Sequence, residues 1–229
     1  MKAMIDSHEE LFTSGAYVHD FRPDVRANPF EADYARKRDA IVGSVAGFDK
    51  KVLDVGGGMG RMSIPLSARH FVTLTDLSPQ MLDLARPKAS SRLVLRQANA
   101  RSLPFADESF DYVLCIDVLP HLLDPMEAVL EARRVLRPGG TLLVDVTNSN
   151  PFWTLAYPSY VGRRPGRWIQ VFQSSGVLPE WRSRVRHHRR SELVAFVEKA
   201  GLELRSIRTF GPKACPKWLL ATATKPDAR

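Results

Sequence analysis

The 229-residue chain is 44% hydrophobic and 25% charged, which supplies enough apolar surface for a buried core and excludes a disordered or fibrous protein. Its formal charge of +8 suits an anionic partner such as a nucleic acid, a membrane surface or an acidic substrate. Most of the excess lies between Arg163 and Arg190, where eight arginines accompany a single acid, Glu180, so one segment rather than the whole fold is basic.

The first fifty residues are polar and mixed in character. Between Asp33 and Val45 apolar residues recur at helical spacing, and Gly47 is a suitable end for that helix. We expect residues 1–50 to form a helical lid that closes over the ligand site. The aromatic side chains available for that closure are Tyr17, His19, Phe21 and Tyr34.

From Lys51 to Thr147, short apolar runs alternate with helical patterns. The runs are Lys51–Val55, Phe71–Thr75, Arg92–Arg96, Tyr112–Ile116 and Thr141–Val146. Such short apolar runs are typical of parallel strands that are covered on both faces. The alternation predicts an α/β fold with a doubly wound sheet, right-handed crossovers and a ligand at the carboxyl ends of the strands.

Helix signals fill the gaps between these runs. Ser78 can cap a helix that has Pro79 at its first position, and Pro125–Leu136 has the pattern of a helix that stops before Pro138. Near the C-terminus we expect a helix from its cap Ser191 to Ala200, followed by strands Leu202–Arg208 and Trp218–Thr224.

The glycine-rich segment Asp54-Val55-Gly56-Gly57-Gly58-Met59-Gly60 stands at the first strand-to-helix turn. Glycines there let the backbone turn tightly and approach a ligand closely. A dinucleotide fingerprint requires its third glycine where Arg61 stands, and a phosphate loop requires lysine there followed by serine or threonine. Pyrophosphate binding and nucleotide hydrolysis are therefore disfavoured.

The remaining pattern, Asp-x-Gly-x-Gly-x-Gly, resembles the first motif of class I S-adenosylmethionine-dependent methyltransferases, with Gly57 where cysteine or serine is usual. Asp76 ends the second predicted strand, where a carboxylate can accept both ribose hydroxyl hydrogens. The segments Gln97–Asp111 and Leu136–Leu142 are similar to later parts of the family pattern. Together the similar segments run from about Lys51 to Thr147, somewhat under half of the chain.

This resemblance implies S-adenosylmethionine as cofactor and a core similar to that of ubiquinone and menaquinone methyltransferases. It also implies a seven-stranded Rossmann-like sheet of order 3-2-1-4-5-7-6, with the last strand antiparallel and helices on both faces, in a core domain spanning residues 51–229. Asn99 stands where the family usually has an aspartate for the adenine amino group, and its amide oxygen can accept that hydrogen bond without a charge. The expected donor contacts are Asp54, Gly56, Gly57, Gly58, Gly60, Asp76, Leu77, Asn99, Ala100 and Asp117.

His121 follows the fourth predicted strand, at the mouth of the expected cleft, and is the candidate general base. The alternative is that it serves the start of a helix or packs against the donor, as the histidine at this position does in many relatives. Asp117, Asp145 and Asn148 are similar in placement to the ligands of metal-dependent catechol methyltransferases. Because Val146 and Thr147 separate the last two, we expect no metal ligands.

Residues 148–190 are expected to form a cap that binds the acceptor, because arginines there interleave with aromatic side chains. The pattern favours methyl transfer to the oxygen, nitrogen or carbon of a small acceptor that is aromatic or lipid-like and anionic. Three alternatives stay open: methylation of RNA, a regulatory module that binds S-adenosylmethionine without turnover, and peripheral contact with an anionic membrane. An amphipathic cap that only covers the sheet edge would give the same pattern.

The two cysteines, Cys115 and Cys215, have no partners at metal-ligand spacing, which fits a reducing cytoplasm. The first residues lack the apolar core of a signal peptide, and no run of about 18 apolar residues is present. We therefore expect a soluble, cytoplasmic protein.

Overall fold

A computed structural model describes residues 30–156, 171–173 and 185–227. Its centre is a seven-stranded sheet of order β3-β2-β1-β4-β5-β7-β6. The strands are β1 (Lys51–Val55), β2 (Phe71–Asp76), β3 (Leu93–Gln97), β4 (Phe110–Cys115), β5 (Leu136–Thr147), β6 (Glu203–Phe210) and β7 (Trp218–Thr224). The first five strands pair in parallel and β7 runs antiparallel to both of its neighbours, which confirms the predicted fold class and strand order.

The described helices are α1 (Glu31–Ser44), α2 (Ser63–Ser67), α3 (Pro79–Ala85), α4 (Pro125–Val135) and α5 (Arg190–Lys199). Alternate residues of the central strands belong to different apolar clusters, as Leu53 and Val52 do, so both faces of the sheet are covered. Helices α4 and α5 pack into one cluster, and α1, α2 and α3 into the other. This two-sided burial explains why the strands are apolar runs rather than alternating patterns.

The local signals are mostly confirmed, with two corrections. Ser78 caps α3 as predicted, since its hydroxyl accepts the Met81 N–H. Ser191 is not the cap of α5, because the helix begins at Arg190 and its N-cap is Arg189, whose N–H donates to the Glu192 carboxylate. Strand β5 begins at Leu136 rather than Thr141, because backbone bonds to Lys225 extend its pairing through the glycines.

Helix α1 lies against the sheet and also reaches its C-terminal hairpin. Ile41 is fully buried, and the Arg208 guanidinium of β6 donates to Ala40 O and to Ser44 Oγ at 3.1 and 2.7 Å. The expected lid and cap fall largely outside the described residues. This holds for Tyr17, His19 and Phe21 of the lid and for the arginines between Arg163 and Arg184 of the cap. Within the described ranges, no helix has the length and apolar character needed to cross a membrane.

Candidate active site

The glycine-rich loop after β1 packs directly on the turn that follows β4. Gly56 has φ +64°, a left-handed conformation that favours glycine. A Cβ added to Gly56 would lie only 2.5 Å from Cγ2 of Val118. The two turns at the carboxyl edge of the sheet are therefore fitted to each other without space for a side chain.

The Asp54 carboxylate packs against the glycine-rich loop. Its side chain is buried in β1, Oδ2 accepts the Ser63 hydroxyl at 2.6 Å, and a Cβ on Gly57 would lie 2.6 Å from that oxygen. The glycine found where the family usually has cysteine or serine thus fits the close approach of Asp54. Burial raises the pKa of Asp54 to about 7.

Asp76 ties the end of β2 to the glycine loop. Its Oδ2 accepts the Gly58 N–H at 2.9 Å and its Oδ1 accepts the Ser78 N–H at 2.8 Å. Burial raises the pKa of this carboxyl, and the backbone N–H groups of Ser78, Gly58 and Leu77 partly offset that effect. Asp76 is therefore fixed at the mouth of the loop, with one backbone donor on each oxygen.

The turn after β3 places Asn99 along the same edge. Ala98 N–H donates to Asp76 O at 3.0 Å, which brings the end of β3 beside Asp76. The Asn99 Oδ1 accepts the Arg101 N–H at 3.0 Å, and Ala100 packs against the core. The amide oxygen predicted to bind adenine is thus oriented by its own turn.

Asp117 stands just beyond β4, where it binds a lysine that was not predicted from the sequence. The Lys37 ammonium of α1 lies 2.8 and 2.9 Å from the two oxygens of Asp117 and 2.6 Å from Oδ2 of Asp145. Oδ1 of Asp145 accepts the Asp117 N–H at 2.6 Å. Lys37 shares a helix face with Tyr34 and Ile41, so its place in an apolar stripe was the available signal.

This ion cluster is electrostatically unusual. Burial alone would lower the pKa of Lys37, but the charges of Asp117 and Asp145 outweigh it and raise that pKa. Burial opposes ionisation of Asp117, yet the Lys37 ammonium holds its pKa below the usual range. Burial raises the pKa of Asp145, with Lys37 opposing that change. Among the described residues no group of side chains suits a metal ion, and the place between these two carboxylates belongs to an ammonium.

Asn148 does not join the two aspartates. Its Nδ2 donates to Pro216 O at 2.8 Å, and its Oδ1 accepts the Asn150 N–H at 3.1 Å. The similarity to catechol methyltransferases therefore does not extend to this amide.

Two more basic side chains, His121 and Lys217, act on Asp117. His121 ends a 3-10 turn, Leu119–His121, and is half-buried; its charge and that of Lys217 both act on Asp117. His187, in the segment before α5, is held neutral because burial lowers its pKa to about 3. Neither His187 nor Lys217 was predicted from the sequence, since Lys217 comes near Asp117, and His187 near Lys217 and His121, only through the fold.

An aromatic cluster surrounds Lys217. Its Nζ lies 3.1, 4.9 and 4.3 Å from the ring centroids of Phe30, Trp153 and Trp218. Burial lowers the pKa of Lys217 well below its ordinary value. This aromatic cluster lies at the end of β5, because Trp218 pairs with Thr147, the last residue of that strand. It forms a second, apolar side of the site, distinct from the glycine loop.

Comparison with known proteins agrees with this geometry. Residues 53–144 match the family described as a methyltransferase domain. The chain is 32% identical over 211 residues to a ubiquinone/menaquinone biosynthesis C-methyltransferase of Hahella chejuensis, covering 86% of this chain and 84% of that relative. It is 29% identical over 204 residues to a ubiquinone biosynthesis O-methyltransferase of the same organism, covering 84% and 78%.

The fold also matches a solved structure. A magnesium protoporphyrin IX methyltransferase from Synechocystis, with bound S-adenosylhomocysteine, superposes with a TM-score of 0.69 at 17% identity and covers 98% of this chain and 100% of that one. The chain is an α/β enzyme with a glycine loop and the Asp76 carboxylate at its sheet edge. It belongs to the class I S-adenosylmethionine-dependent methyltransferases, and S-adenosylmethionine is its cofactor.

Proposed function

We propose that the chain methylates a small aromatic acceptor of the quinone-precursor type, on a hydroxyl oxygen or on a ring carbon activated by one. The observation that carries this proposal is the pairing of two different surfaces at Asp117. On one side lies the polar glycine loop with Asp76, and on the other lies the aromatic cluster with its basic neighbours. The names of the quinone-biosynthesis relatives support the same acceptor class.

For the donor, the proposed contacts follow the strand ends. Asp76 accepts the ribose hydroxyls, Asn99 accepts from the adenine amino group, and Leu77 and Ala100 line the adenosine. The backbone of the glycine loop and Asp117 face the methionine part, where the Asp117 carboxylate, with 36% of its side chain exposed, suits a cation. The residues present therefore fit this cofactor.

When bound, S-adenosylmethionine supplies a methyl group whose sulfonium loses its positive charge as the group leaves. As the acceptor oxygen or carbon took the methyl group, the electron pair of the broken sulfur–carbon bond would stay on sulfur, so the step would need no other leaving group. The chain contributes mainly by aligning the acceptor and excluding water, which is the role of the aromatic cluster. His121 takes the proton that the acceptor gives up, because it is half-buried at the boundary of the two surfaces.

The base assignment predicts a separation between catalysis and binding. We expect His121→Ala to lower kcat by roughly 10²–10⁴-fold, the usual contribution of a general base, while affinity for S-adenosylhomocysteine stays within about threefold. Stopped-time assays with radiolabelled donor and a catechol or hydroquinone acceptor measure the first quantity, and calorimetry measures the second. An unchanged kcat would remove His121 from the chemistry.

The acceptor class itself needs a direct comparison. The purified chain is incubated with labelled donor and, separately, with polyprenylated or short-chain hydroquinones, catechols and total RNA. We expect label in the phenolic acceptors. Transfer to RNA alone would overturn the proposal, and donor binding with no transfer to any acceptor would favour a non-catalytic module.

A further inference from the structure

We propose that Lys37 is a positioning residue that holds the donor-binding turn in place from the N-terminal helix, through a closed ring of bonds that we term the clasp: Lys37, Asp117 and Asp145. The ring runs from the Asp117 N–H to Oδ1 of Asp145, from Oδ2 of Asp145 to the Lys37 ammonium, and from that ammonium back to the Asp117 carboxylate. This inference rests on the proposed placement of the donor beside the glycine loop.

The clasp fixes a conformation that the turn would not adopt by itself. Asp117 has φ +58°, in the left-handed region that costs a residue with a side chain about 1–2 kcal/mol. Its N–H and both of its carboxylate oxygens are bonded within the clasp. The left-handed turn is therefore held by side chains from α1 and β5, neither of which is a neighbour in sequence.

What the clasp holds is the part of the site that faces the donor. Val118, the next residue, fills the space over Gly56, since a Cβ on that glycine would approach the valine to 2.5 Å. His121 follows three residues later in the same 3-10 segment. A displacement of Asp117 would consequently move the wall of the glycine loop and the candidate base together.

Two of the three charged groups of the clasp are buried, so solvent cannot replace the bonds between them. The Lys37 and Asp145 side chains have no exposed surface, whereas 36% of the Asp117 side chain is exposed toward the site. The Lys37 ammonium also lies 5.0 Å from the Tyr34 ring centroid and 4.8 Å from that of Trp218. Removing one partner of a buried ion pair leaves an uncompensated charge, and such changes are strongly destabilising.

The loss of Lys37 has a signature that loss of packing alone does not produce. Two carboxylates facing each other cannot both ionise readily, so one of them takes up a proton. Other charges reach these groups too: Lys217 and His121 act on Asp117, and Arg61 acts on Tyr34 beside it. None of them replaces the ammonium that bonds both acids, so we expect the paired carboxyls to titrate near neutral pH in its absence.

The test compares Lys37→Met with Arg38→Met, which removes an exposed cation that pairs with Asp39 from the same helix. Thermal unfolding and calorimetric binding of S-adenosylhomocysteine are measured at about pH 6 and about pH 8. The wild type and Arg38→Met are expected to change by less than about twofold in Kd. In Lys37→Met we expect binding to weaken roughly tenfold as pH rises, since one unit of pKa is a factor of ten.

Proton linkage determines the direction in which the stability of Lys37→Met changes with pH. In Lys37→Met burial and the facing carboxylate raise the pKa of the folded pair above its unfolded value, so the stabilising contribution of the shared proton is present at low pH and is lost as pH rises. The melting temperature of this variant should therefore fall more than that of the wild type between pH 6 and pH 8, in parallel with donor affinity, while that of Arg38→Met should follow the wild type.

A second variant separates positioning from packing. In Lys37→Met/Asp145→Asn one carboxylate is gone, yet the asparagine oxygen can still accept the Asp117 N–H. We expect this double variant to recover pH-independent binding, whereas a packing role predicts that the two changes add. If the affinity of Lys37→Met for S-adenosylhomocysteine does not change with pH, or if neither variant folds, the proposal is overturned. If the wild type binds S-adenosylhomocysteine but Asp76 substitutions have no effect, the donor placement is wrong instead.

Discussion

Asp76 offers a sharp test of the donor site, because its two oxygens are already committed to the backbone. Each accepts one N–H, from Gly58 and from Ser78. In Asp76→Asn the amide NH₂ must face one of these two donors, whichever way the side chain is turned. Although Asp76→Asn is ordinarily a conservative substitution, it places the asparagine NH₂ against the N–H of Gly58 or of Ser78.

The expected loss can be estimated from these contacts. A hydrogen bond to a charged group contributes about 1.5–3 kcal/mol, and Asp76→Asn removes the charge that the ribose hydroxyls would meet while keeping one oxygen. At about 1.4 kcal/mol per factor of ten, this corresponds to roughly 10- to 150-fold weaker donor binding. We expect Asp76→Ala to fall in the same range, since asparagine gains little from its retained oxygen.

Calorimetry with S-adenosylhomocysteine measures these affinities, and a melting curve for each variant shows that it is folded. The matched control is Asp83→Asn on α3, which removes an exposed carboxylate that pairs with Arg86 at 2.9 Å and should leave the affinity unchanged. If Asp76→Asn binds within twofold of the wild type, the ribose does not lie at Asp76 and the reasoning fails.

Two further predictions concern the support of the glycine loop. Gly56→Ala combines a left-handed φ with a contact of 2.5 Å to Val118, so we expect a loss of roughly 2–5 kcal/mol in unfolding free energy by denaturant titration. The control Gly43→Ala, in α1 with nothing within 4 Å, should gain about 0.5–1 kcal/mol, and equal effects would contradict the packing argument. Burial raises the pKa of Asp54 to about 7, so its contribution to stability is lost as pH rises through that value. Asp54→Asn should thus lose less melting temperature between pH 5 and pH 8 than the wild type, and identical pH profiles would show that Asp54 ionises freely.

Much of the fold could be predicted from the sequence, because strands and helix starts depend on residues that are close together in the chain. Short apolar runs predicted the strands within a few residues, since strands covered on both faces must be apolar throughout. Ser78 and Pro79 marked the start of α3 because capping depends only on neighbouring residues. The start of α5 was misplaced by two residues, since Ser191 has the composition of a cap while the observed N-cap is Arg189, whose N–H donates to the Glu192 carboxylate.

The sequence also predicted that the residues proposed to bind the donor lie together. The glycine loop, Asp76 and Asn99 follow consecutive strands, and the carboxyl ends of parallel strands meet at one edge. Their order along the chain therefore determines their proximity. The spacing from strand to strand was therefore sufficient to predict that these residues lie near one another.

The rest was decided by tertiary structure. Lys37 lies 80 residues from Asp117 and 108 from Asp145 in the chain, and no local pattern links an α1 lysine to acids beyond β4 and within β5. Lys217 meets the aromatic cluster only because β7 inserts antiparallel beside β5. The sequence by itself determined the sheet and the loop that its first turn forms, because short-range periodicity and turn chemistry carry that information. Only folding decided which distant charges share a buried space, because the stabilisation of a buried ion depends on neighbours brought from elsewhere in the chain.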